Sequence, residues 1–195
     1  MIIGITGSIG SGKTTVSNLF KKHGFYVINA DEIAHKMIKK NSGAYKEIIK
    51  TFGNKILDEN KNIERKELGD VVFNDEKKLK KLNSITHPII INEIKNRIIK
   101  IQKKYENKAG IVIDAPLLLE TGTRGLVDKI VIMKSGKNSI LKRLGKKYTK
   151  EKIEKILKAQ IPLEEKLKHA DFVIDNNGGL RHLEEQVKNI IEKLN

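Results

Sequence analysis

Eight residues near the start of the chain, Gly7-Ser8-Ile9-Gly10-Ser11-Gly12-Lys13-Thr14, satisfy the pattern G-x-x-x-x-G-K-S/T at every fixed position. The chemistry of such a stretch is the holding of phosphate. Glycines let the backbone turn tightly enough for consecutive N–H groups to point at phosphate oxygens. The helix that follows adds the positive end of its dipole, and Lys13 adds a mobile charge for β- and γ-phosphates. Thr14 offers a hydroxyl to Mg²⁺, a hard cation that prefers oxygen. Gly7, Gly10, Ser11, Gly12, Lys13, Thr14 and the adjacent Thr15 are therefore candidate nucleotide-binding residues.

The elements that must position this loop are legible as apolar runs rich in β-branched residues: 2–6, 25–28, 111–113, 129–133 and 172–174. None alternates cleanly with polar residues, which favours strands covered on both faces of a parallel sheet. Helical patterns separate them. Val16, Leu19 and Phe20 mark the first, and Leu180, Leu183, Val187, Ile190, Ile191 and Leu194 repeat along one face of the last. The alternation predicts an α/β fold with right-handed crossovers. The long interval between the second and third runs reads as charged and helical, with Leu79, Leu82, Ile94, Ile98 and Ile101 as apolar markers. Within it, His87-Pro88 is expected to break one helix from the next.

In a parallel sheet all strand C-termini share one edge, where ligands bind. Asp31, Asp114, Ser135 and the stretch Asp175-Asn176-Asn177-Gly178 follow their strands and so belong to that edge. Asp114 ends an apolar strand, as a carboxylate supporting Mg²⁺ does; a turn aspartate before Ala115-Pro116 is the other reading. Asp31 is the general-base candidate, or else the N-cap of the helix through Ile33 and Met37. The Asp175 stretch shapes a turn, with Asn176 as a base-side contact. Arg143, among Lys142, Lys146 and Lys147, is the candidate cation of a water-excluding lid, unless these residues are a solvated helix end.

Together these segments resemble the dephospho-coenzyme A kinase family. The resemblance rests on the phosphate loop, Val27-Ile28-Asn29-Ala30-Asp31, Leu82-Asn83-Ser84-Ile85-Thr86-His87-Pro88, Asp114-Ala115-Pro116-Leu117-Leu118-Leu119-Glu120, and 170–178, in order along nearly the whole chain. It implies a P-loop NTPase fold: a five-stranded parallel sheet flanked by helices, with a helical acceptor-binding insertion and a lid. The corresponding boundaries are 1–30 and 109–195 for the nucleotide-binding core, about 140–160 for the lid, and 31–108 for the insertion. It implies ATP and Mg²⁺ as cofactors, and transfer of the γ-phosphate to the ribose 3′-hydroxyl of dephospho-coenzyme A. Asp31 would be the base, Lys13 and Arg143 would act on the phosphates, Thr14 and Asp114 on the metal, and Arg65 and His87 on the acceptor. Two departures stand out: the family usually carries Asp where this chain has Asn29, and paired lid arginines where it has Arg143 followed by Gly145-Lys146-Lys147.

The bulk properties limit the alternatives. With no cysteine there are no disulfides or thiolate metal sites, and the sequence shows no leader or membrane span, so a cytoplasmic protein is expected, monomeric or weakly self-associating. The net charge of +15 would suit a polyanionic partner, but the lysines are dispersed at helical spacing, and no nucleic-acid partner is expected. A nucleoside or nucleotide kinase would share the loop. A GTPase would need Asn-Lys-x-Asp, and the pairs Asn54-Lys55, Asn60-Lys61 and 107–108 lack the aspartate.

Overall fold

The computed structural model describes residues 1–106 and 110–194. Strands β1 (Ile2–Gly7), β2 (Tyr26–Asn29), β3 (Ile111–Asp114), β4 (Lys129–Lys134) and β5 (Phe172–Asp175) form one parallel sheet in the order β2-β3-β1-β4-β5. Each expected strand is present and ends one residue beyond its apolar run, and β2 also starts one residue later, at Tyr26. The last positions, among them Asn29, Asp114 and Asp175, are polar in side chain but remain in the ladder, because pairing uses only the backbone. The chain leaves β1 for the edge at β2, returns to β3 between them, and then crosses to β4 on the other side of β1. This reversal opens a crevice beyond the C-terminal end of β1, where the phosphate loop begins.

Ile3, Ile5, Val112, Val131, Met133 and Ile174 line one face of the sheet. They pack with Val16, Leu19 and Phe20 of α1 (Lys13–Lys22) and with Leu183, Val187 and Ile190 of α9 (Leu180–Leu194). Leu180, expected on the same stripe, is 55% exposed, because it opens the first turn of α9. On β1, a Cβ added to Gly4 would lie 2.6 Å from Leu118 Cδ2 and 3.1 Å from Val127 Cγ1, so glycine lets the segment after β3 approach the sheet backbone closely. Three further helices, α6 (Lys137–Leu144), α7 (Lys150–Lys158) and α8 (Leu163–Leu167), lie between β4 and β5.

Residues 1–29 with 97–195 make one compact unit and residues 30–96 another. The second contains α2 (Ala30–Met37), α3 (Tyr45–Phe52), α4 (Arg65–Val72) and most of α5 (Glu76–Lys104). It has its own core of Ala44, Ile48, Phe52, Ile56, Ile63, Leu68, Val72 and Ile85, with Leu79, Leu82 and Ile89 packed against it. The expected break at Pro88 is absent: α5 continues through it for 29 residues. Proline removes a single ladder bond, here the one to the Ser84 carbonyl, and the apolar positions on both sides keep the helix docked. The expected boundary at 108/109 lies outside the described residues, as does the pair 107–108.

Candidate active site

Gly12 stands in the left-handed conformation, φ 93°, as the N-cap of α1, and this turn delivers Lys13 and Thr14 to the start of the helix. A side chain at Gly12 would be strained by that φ and obstructed as well, since an added Cβ would lie 2.1 Å from Asn176 Nδ2. Lys13 is buried, and its Nζ donates to the carbonyls of Gly7 (3.2 Å) and Ser8 (3.1 Å), so the charge is held directly over the loop. Thr14 and Thr15 are exposed on the first turn of α1, which the Thr15 amide closes by donating to the Gly12 carbonyl at 3.1 Å.

The rest of the sheet edge braces this loop from outside. Asn176, buried just beyond β5, donates through Nδ2 to the Ser11 carbonyl at 2.8 Å. Arg143, in the last turn of α6, donates from one terminal nitrogen to Ser135 Oγ (2.8 Å) and the Gly10 carbonyl (3.2 Å), and from the other to the Asn176 carbonyl (2.8 Å). Leu144 and Ile140 also lie over Gly10, at 2.9 and 3.3 Å from where a Cβ would stand. Three parts of the chain, the segment after β4, α6 and the turn after β5, therefore meet at the loop. A guanidinium suits this task because its planar fork reaches several acceptors at once.

Asp175 forms the turn that aims Asn176. Its Oδ1 accepts from the Asn177 backbone (2.8 Å) and side-chain (2.7 Å) nitrogens, while Gln186 of α9 accepts from Asp175 N (2.9 Å) and donates to Asp175 O (3.0 Å). Asn177 Oδ1 accepts from the Gly136 amide at 2.9 Å, tying the β5 turn to the start of α6.

Asp114 is buried at the end of β3, in register with Ile5 of β1 and Asn29 of β2. Asp114 and the exposed Thr14 both carry side-chain oxygens on one sheet edge. That donor set fits Mg²⁺, which commonly takes few protein oxygens and completes its shell with phosphate and water. Among the described residues there is no cluster of three or more His, Cys, Asp or Glu able to hold a metal ion by themselves.

Asp31, Arg65 and His87 belong to the unit 30–96. Asp31 is exposed in the first turn of α2, one residue inside the helix rather than at its cap. Arg65 is exposed at the first position of α4. His87 is half-buried in α5, and burial holds its pKa below the ordinary histidine value.

Motif reading from sequence missed Gln160 and Lys166. Gln160 Oε1 accepts from the Ile9 amide of the loop at 3.1 Å, and Lys166 is fully buried against Glu120 at 2.8 Å. The only available signal was weak: a lysine at the spacing of an otherwise apolar helix face.

A glycine-rich loop that follows the central strand of a parallel sheet and opens a helix with a loop-bound lysine defines a P-loop phosphotransferase architecture. The chain belongs to the dephospho-CoA kinase family, whose sequence profile matches residues 1–182. It is 42% identical to the dephospho-CoA kinase of Aquifex aeolicus over 193 residues, covering 98% of this chain and 96% of that protein. It is 44% identical to the one from Fusobacterium nucleatum over 196 residues, covering 100% and 98%. The solved dephospho-CoA kinase from Campylobacter jejuni superposes with a TM-score of 0.71 at 33% identity, over 99% of this chain and 96% of that one.

Proposed function

We propose that this kinase transfers the γ-phosphate of ATP to the ribose 3′-hydroxyl of dephospho-coenzyme A, giving coenzyme A and ADP, the last step of coenzyme A biosynthesis. The observation that carries the reading is the braced phosphate loop with Lys13 held over it, in a chain that matches the family along its length. Asp31 accepts the proton of the attacking hydroxyl, whose oxygen bonds to the γ-phosphorus as the bond to the ADP oxygen breaks. Lys13 and the loop amides carry the phosphate charge. Thr14 and Asp114 would hold Mg²⁺, which would supply positive charge against the phosphates.

Arg143 stabilises the loop and the phosphates together, and Asn176 fixes the nucleotide side of the loop. Arg65 and His87 serve the acceptor. Of the expected lid at 140–160, the part able to close starts after Leu144, because Ile140, Arg143 and Leu144 are engaged with the loop. In this reading the protein acts as a cytoplasmic monomer or weak homo-oligomer without a nucleic-acid partner. No described helix is long and apolar enough to cross a membrane.

The test is ADP release with ATP and Mg²⁺ against a panel of acceptors, with mass detection of the product. Turnover with dephospho-coenzyme A far above that with nucleosides or nucleoside monophosphates supports the reading. Preference for a nucleoside monophosphate would make the chain a nucleotide kinase instead.

A further inference from the structure

The loop has a brace from a direction that its motif does not specify. Lys166 is 0% exposed, an unusual position for a lysine. Its Nζ lies 2.8 Å from Glu120 Oε1 and donates to the Pro116 carbonyl at 3.2 Å. That carbonyl also accepts from Thr6 Oγ1 at 3.1 Å, and Thr6 immediately precedes the first glycine of the phosphate loop. Glu120 Oε1 in turn accepts from the Ile161 amide at 3.2 Å. The neighbouring Gln160 accepts the Ile9 amide at 3.1 Å. One ammonium group thus joins the segment after β3, the turn between α7 and α8, and two points at the start of the loop, Thr6 and Ile9.

Stability does not account for such an arrangement well. Two charges are withdrawn from water, and Glu120 Oε2 is buried without accepting a hydrogen bond, so the desolvation is only partly compensated. What the pair supplies is position. The Ile161 amide is fixed by Glu120, which sets where Gln160 starts and hence where its side chain meets Ile9.

We infer that Lys166 and Glu120 are positioning residues for ATP binding, which hold the phosphate loop in its receptive shape through Gln160. The inference rests on the loop being the ATP site, and its test reads nucleotide binding directly, so it does not depend on which acceptor is phosphorylated.

The experiment measures the Kd of a fluorescent ATP analogue and Tm for Gln160→Leu, for Lys166→Met/Glu120→Leu, and for the three changes combined. Gln160→Leu should weaken nucleotide binding about threefold at unchanged Tm, because it removes one acceptor at a half-exposed position. The paired apolar replacement should keep a Tm near wild type yet weaken binding by the same factor of about three, and adding Gln160→Leu should bring little further loss. Recovery of both Tm and nucleotide Kd in the paired variant would reduce the pair to packing and overturn the inference, as would independent, multiplying effects. If the paired variant does not fold, Gln160→Leu decides alone: a raised Kd at unchanged Tm supports the inference and an unchanged Kd overturns it.

Discussion

At the phosphate loop, candidate residues are held by bonds between distant parts of the chain: Asn176 to Ser11, Arg143 to Gly10, Gln160 to Ile9. In the helical unit 30–96, Asp31 and Arg65 stand exposed in the first turns of short helices, and His87 is half-buried in a long one. The first region resembles a frame built around a ligand, with polar groups committed to fixing a backbone. The second is three short helices and most of a long one around an apolar core, presenting single charges at its surface. Phosphate transfer needs both kinds of region. The charge on the migrating group is best met by groups fixed in advance, whereas an acceptor is selected by a few side chains whose effect shows mainly in its own binding.

Substitutions should therefore separate by region. Lys13→Ala removes the loop's charge and should lower kcat by about three decades, with the fold unchanged by circular dichroism; a near-normal kcat would remove Lys13 from the chemistry. Asp31→Asn should lower kcat by about two decades, while an effect confined to the acceptor KM would make Asp31 a binding residue rather than the base. Arg143→Lys keeps the charge but loses the fork that reaches Ser135, Gly10 and Asn176. It should raise the KM for ATP about tenfold and leave the acceptor KM alone. Arg65→Ala should do the converse, raising the acceptor KM about fivefold with unchanged ATP binding. If Arg65→Ala instead altered the ATP KM, the division of labour between the two regions would fail.

The two regions also differed in how much the sequence disclosed. The phosphate loop was readable because its chemistry constrains contiguous residues, and the inner strands β1, β3 and β4 were readable because burial on both faces leaves unbroken apolar runs such as Ile111-Val112-Ile113. The brace was not, because Gln160 and Arg143 reach the loop, and Lys166 reaches Glu120 and Pro116 behind it, only through tertiary packing. Arg143 was singled out among its lysine neighbours for its planar multi-donor head, whereas its bonds to the loop backbone became visible only with α6 packed over Gly10. In the helical unit, the rule that proline ends helices misled at Pro88, where packing on both sides outweighed one missing hydrogen bond.

The smallest expected effect tests whether His87 is embedded in the helical unit's structure rather than merely exposed to an acceptor. Burial disfavours its charged form, so its folded pKa lies below the ordinary value of 6.5 that it regains on unfolding. Between those two values the unfolded chain binds more protons than the folded one, and stability rises with pH. The contribution is thus fully present above pH 6.5 and is lost as pH falls through the folded pKa. Half-burial leaves solvent to screen part of it, so in a scan from pH 7.5 to pH 5.5 the wild type should lose about 1–3 °C more Tm than His87→Gln. Asp58, Asp75 and Asp171, whose pKa values are lowered chiefly by backbone hydrogen bonds, lose their contribution at more acidic pH and in both proteins alike. The difference between the two curves therefore isolates the imidazole. Parallel curves would return His87 to the exposed class of Asp31 and Arg65, and only its effect on acceptor KM would then distinguish it from surface.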